Sequence, residues 1–101
     1  MIVYNVTIKV EQGIAADWLQ WMKEEHMPQL MGTGCFTGHR LYRLLDQDET
    51  EGITYCAQYT CTAMADYERY IGQYADAMRA TTFARWGNRF IAFRSLMQQE
   101  A

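Results

Sequence analysis

The sequence predicts an α+β domain in the order β-α-β-β-α-β, with a four-stranded antiparallel sheet and both helices on one face. Three observations carry this. Four stretches alternate apolar and polar residues with a period of two, two others repeat apolar residues at helical spacing, and an acidic loop joins the two middle strands. At 101 residues the chain is long enough for one core, so a single domain over 1–101 is expected.

Residues 2–10 form the first strand, with Ile2, Tyr4, Val6, Ile8 and Val10 on one face and Val3, Asn5, Thr7 and Lys9 on the other. After Gly13, residues 14–31 carry Ala15, Trp18, Leu19, Met22, His26 and Leu30 on one helical stripe and Asp17, Gln20, Lys23 and Glu24 opposite. Pro28, the only proline, lacks the N–H that would bond Glu24, so the helix is expected to kink near His26 and Met27 and to stop by Gly32 and Gly34. Residues 35–45 and 53–61 alternate as the second and third strands around the acidic loop 46–52. Thr62 then caps a second helix striped by Met64, Tyr67, Tyr70, Ile71, Tyr74, Ala77 and Met78. Thr81 and Thr82, poor helix formers, are expected to break it before a short turn over 83–86 that Gly87 ends. A last strand covers 89–97. This is the ferredoxin-like βαββαβ arrangement, with expected strand order 4-1-3-2.

Ile2, Tyr4, Val6, Ile8, Tyr55, Ala57 and Tyr59 are expected under the helices. The other face carries Val3, Asn5, Thr7, Cys56 and Gln58, with Leu41 and either Ile91 and Phe93 or their alternates beside them. That mixture is too apolar for water and too polar for a deep core, so a homodimer packed sheet against sheet is expected.

Composition excludes several functions. The net charge of −3, with only two lysines, supplies no basic stripe for phosphates, so no nucleic acid partner is expected. No stretch approaches a membrane span and the start carries no leader pattern, so the expected location is cytoplasmic, with no membrane partner. Cys35, Cys56 and Cys61 are odd in number and lack C-x-x-C spacing, which fits reduced, buried thiols. His26 and His39 stand on separate elements and the acidic loop lacks an EF-hand register, so no metal and no cofactor are expected.

The run from Trp18 through His26 and Pro28, followed by Gly34, Cys35 and Phe36, resembles the dimeric α+β barrel superfamily. With residues 64–70 and 86–93, it is similar over nearly the whole chain to a family of small bacterial proteins filed as a domain of unknown function. The resemblance implies the barrel dimer and brings no activity. The wider superfamily includes cofactor-free monooxygenases, isomerases and haem-degrading enzymes. The haem-degrading type resembles this chain poorly: its strand asparagine would fall at Val6, its helix aromatic matches Tyr70 only loosely, and no histidine follows His39.

His26 is the candidate catalytic residue, an imidazole on the core stripe at a disturbed helix end, suited to acid or base work near neutral pH. Its structural alternative is a ring that plugs the helix end. Tyr4, Tyr55, Tyr59, Tyr67, Tyr70 and Tyr74 place six phenols around one helix–sheet gap, which suits a wet pocket for a flat aromatic or amphipathic ligand. Arg40 and Arg43 point to opposite faces, so a surface or dimer ion pair is expected for them, with one of the two as the alternative partner of a ligand carboxylate. Three functions follow from these residues: a homodimeric small-molecule-binding protein, a cofactor-independent enzyme acting on an aromatic or polyketide-like compound, or a purely structural or partner-binding dimer.

Overall fold

A computed structural model describes residues 1–101. Strand β1 (Ile2–Glu11) leads through a 3₁₀ turn (Gln12–Ile14) into helix α1 (Ala15–Trp21), a π-helical turn (Met22–His26) and helix α2 (Met27–Gly32). Strands β2 (Gly38–Arg43) and β3 (Gly52–Cys61) form the hairpin. Helices α3 (Met64–Gln73) and α4 (Ala75–Trp86) precede strand β4 (Phe90–Gln98). The sheet order is β2-β3-β1-β4, every pair antiparallel, which is the ferredoxin-like topology.

The registers decide which side chains meet the helices. Tyr4 pairs with Tyr59, Val6 with Ala57 and Ile8 with Tyr55, so one face of both central strands stacks its large side chains together. Period-two alternation therefore buries Tyr4, Ile8, Val10, Tyr55, Ala57 and Tyr59 beneath the helices. Leu41 pairs with Ala57 and so lies on this helix-facing side, which corrects its assignment to the open face. Ile91 and Phe93 do lie on the open face, opposite Lys9 and Thr7.

The first helical run crosses Pro28 without stopping. The π turn makes room for the missing N–H, and Pro28 falls in the first turn of α2, where its ring is tolerated. The turn also inserts a five-residue step into the apolar stripe, from Met22 to Met27, both 2% exposed. His26 is consequently left half-buried at the edge of the stripe.

The second helix breaks at Tyr74 (φ −126°, ψ −32°) and not at the threonines. Thr81 and Thr82 stay helical, their hydroxyls donating to the carbonyls of Ala77 (3.0 Å) and Met78 (2.9 Å) one turn back. The expected turn over 83–86 is the end of α4, closed by Gly87 at φ +61°. Strand β2 is shorter than its alternation. Cys35 and Phe36 are buried before it begins, and Asp46 at φ +59° lies just past its end.

Candidate functional site

A cavity opens between helices and sheet. Tyr4, Val6 and Ile8 of β1, Ala57 and Tyr59 of β3, and Ala92 and Arg94 of β4 form its floor. Its walls come from Trp18, Met22, His26 and Leu30 on one side and Tyr70, Met78, Arg79 and Thr82 on the other. The space open to water is about 50 Å³, enough for a few molecules, and about 500 Å³ is free of atoms once the mouth is included.

Four of the residues singled out in the sequence meet here: His26, Tyr4, Tyr59 and Tyr70. Tyr4 is the hub of an aromatic cluster, with ring centroids 5.4 Å from Tyr67, 5.8 Å from Tyr70, 6.1 Å from Tyr59 and 6.2 Å from Phe36. Tyr67 thus backs the cluster without lining the cavity. Tyr55 packs elsewhere, 5.0 Å from Trp18, and borders a separate groove with Lys23 and Arg43. Tyr74 sits at the α3–α4 break and does not reach the lining. Burial pushes the Tyr59 and Tyr70 hydroxyls well above the ordinary phenol range, so both are neutral donors at neutral pH.

His26 is oriented by packing. Its ring stacks on Trp21 at 4.7 Å with planes 20° apart, and Trp21 in turn meets the Trp86 ring edge-on at 5.8 Å. Its Nδ1 is buried and has no partner within the chain. Burial, helped by the nearby Arg94 guanidinium, lowers its pKa from 6.5 to about 4. The imidazole is therefore neutral at pH 7, one nitrogen an acceptor and the other a donor. No carboxylate orients it, so it is a solitary base and not part of a triad.

The sequence reading missed both arginines of this site. Arg94 pairs with Val6 and belongs to the inward set with Phe90 and Ala92, so continuing the β4 alternation inward would have revealed a cation on the core side. Arg79 reaches in from α4, and its Nη2 donates to the Tyr4 hydroxyl at 3.4 Å. Arg43 is engaged with Glu49 of the acidic loop, and Arg40 pairs with Gln58 on the open face. No three His, Cys, Asp or Glu side chains gather closely enough to hold a metal ion.

Solved structures share this fold at low identity. A manganese-protoporphyrin-bound mutant of MhuD is 15% identical with a TM-score of 0.71, covering 100% of this chain and 96% of that one. A mutant of SnoaB, a cofactor-independent oxygenase from Streptomyces nogalater, is 16% identical with a TM-score of 0.64, covering 99% and 94%. A dimeric ferredoxin-like protein from an uncultured marine organism is 15% identical with a TM-score of 0.67, covering 99% and 97%. At such identities the likeness establishes the fold alone. No curated protein matches the sequence. A family does: residues 1–100 match the domain of unknown function DUF4286, and the chain belongs to that family.

Proposed function

We propose that the protein is a cytoplasmic homodimer that binds a small organic molecule in the cavity between helices and sheet. The observation that carries this reading is His26, which borders the cavity with a buried nitrogen that the chain leaves without a partner. A buried polar atom left unpaired costs roughly 1–3 kcal/mol, and a bound ligand or water supplies the missing bond. Apolar walls with a few convergent polar groups are the usual make-up of small-molecule sites.

The dimer is supported by the open sheet face. Phe93 is 67% exposed there and Ile91 59%, with Tyr42 and Met97 also exposed. Asn5 lies on the same face, buried, with Oδ1 unpaired while its Nδ2 donates to Thr7 at 3.0 Å. A second copy packed on this face covers the apolar residues and brings donors to Asn5. Such an interface buries about 1,600 Å² in total. Native mass spectrometry of the protein purified from its own cytoplasm tests both parts. A dimer mass carrying a stoichiometric small molecule is expected; a bare monomer contradicts the reading.

A second reading, cofactor-independent catalysis on an aromatic or polyketide-like compound, is favoured by one feature. His26 borders the cavity as a neutral imidazole with an unshared nitrogen, placed to take a proton from a bound phenol or enol whose developing anion offsets the burial and the Arg94 charge that hold its pKa at about 4. SnoaB, of the same fold, is a cofactor-independent oxygenase. Turnover that survives exhaustive metal chelation and is lost in His26→Gln, with dimer and fold retained, is the expected sign of this chemistry.

A further inference from the structure

We propose that the cavity takes an organic monoanion, an apolar body bearing one carboxylate, held by Arg79 and Arg94. This rests on the reading of the cavity as a ligand site and adds the charge and class of its occupant. The chain as a whole is acidic, at −3, yet no Asp or Glu lines the cavity, whereas two arginines do. Three ion pairs occupy Arg43, Arg69 and Arg89, and none involves Arg79 or Arg94. Asp76, one turn before Arg79 on α4, forms no ion pair with it and acts on it only through space.

The two cations enter from different elements, both bordering the cavity with side chains still exposed to solvent. Arg94 stands on the sheet floor beside Val6, and Arg79 on α4 reaches the Tyr4 hydroxyl. Tyr70 lines the same cavity as both arginines. A cavity bordered by two guanidiniums that form no ion pair, with no carboxylate and otherwise mostly apolar walls, disfavours cations and attracts an anion. Planar guanidinium forks match a carboxylate in shape, and the phenol supplies a further donor. His26, being neutral, adds no charge, and its unpartnered Nδ1 bonds a water retained beside the ligand.

Calorimetry on the full-length protein with three probes of one shape tests the proposal: 2-naphthoate, its neutral 2-naphthamide, and the cationic 2-naphthylmethylammonium. Naphthoate is expected to bind about tenfold or more tighter than the amide, and the ammonium weakest of all. Arg79→Gln and Arg94→Gln are each expected to erase most of the acid-over-amide preference, whereas Lys23→Gln, outside the cavity, leaves it intact. Melting curves verify that the variants are folded. Equal binding of acid and amide overturns the anion proposal and leaves the ligand-site reading standing. Failure of all three probes to bind overturns both.

Discussion

Trp21 and His26 stack with ring centroids 4.7 Å apart and planes 20° from parallel. A pair five residues apart meets face to face because the helix widens into a π turn between them. The same turn carries the apolar stripe from Met22 to Met27 and leaves the imidazole on the cavity rim. One local departure from α-helical geometry thus packs the core and exposes a polar ring to the site.

The first prediction concerns pH. The His26 pKa is about 4 in the folded protein against 6.5 unfolded, so the unfolded chain binds more protons between those values. Above pH 6.5 both states are neutral and this group has no effect. As pH falls from 6.5 to 4 it lowers stability, by about 3 kcal/mol in all, and below 4 the loss is complete. Urea unfolding of His26→Gln at pH 7.5 and pH 4.5 is expected to show a smaller drop in stability than the natural chain. An equal drop contradicts it.

Met27 reports on the π turn. It is 2% exposed, although an uninterrupted 3.6-residue repeat from Met22 would put His26 in its place. Met27→Ala is expected to cost about 2–5 kcal/mol, read by chemical denaturation. Gln29→Ala, at an exposed position on the same helix, is expected to change stability by less than about 0.5 kcal/mol.

Phe93 reports on assembly. Placing a charge on the open face, as Phe93→Glu, is expected to shift light scattering at micromolar concentration from dimer to monomer, because an unpaired carboxylate in an apolar contact opposes association. Far-ultraviolet circular dichroism is expected to change little, since the side chain is 67% exposed within one copy.

Much of this architecture was legible in the sequence because it rests on periodicity. Tyr4, Ile8, Tyr55 and Tyr59 alternate without interruption, and their pairing stacks them on one face whatever the turns do. Local conformation was harder to read. Propensity marks Thr81 and Thr82 as a break, but their hydroxyls bond back to the preceding turn, and the chain bends at Tyr74 instead. Leu41 changed faces because β2 alternates apolar residues weakly, so its register depends on Ala57 across the ladder. Of the site, His26 stood out as a polar residue on an apolar stripe, and Tyr4, Tyr59 and Tyr70 by number. The equivalence of all six tyrosines was not resolvable without the fold, since Tyr55 sits at the far end of the gap against Trp18. Arg79 and Arg94 were hidden because both are exposed side chains like most basic residues, and only the packing of α4 over β4 brings them to one cavity.

The most direct test of the His26-lined cavity as a ligand site is a long-range ¹H–¹⁵N spectrum of the histidine-labelled protein, titrated with 2-naphthoate. The chain has two histidines, and His39 lies exposed on β2, outside the cavity, as an internal reference. The expected result is a saturable shift of the His26 ring nitrogens, with those of His39 unmoved. Unmoved His26 nitrogens at saturating naphthoate, or equal shifts at both rings, would contradict it.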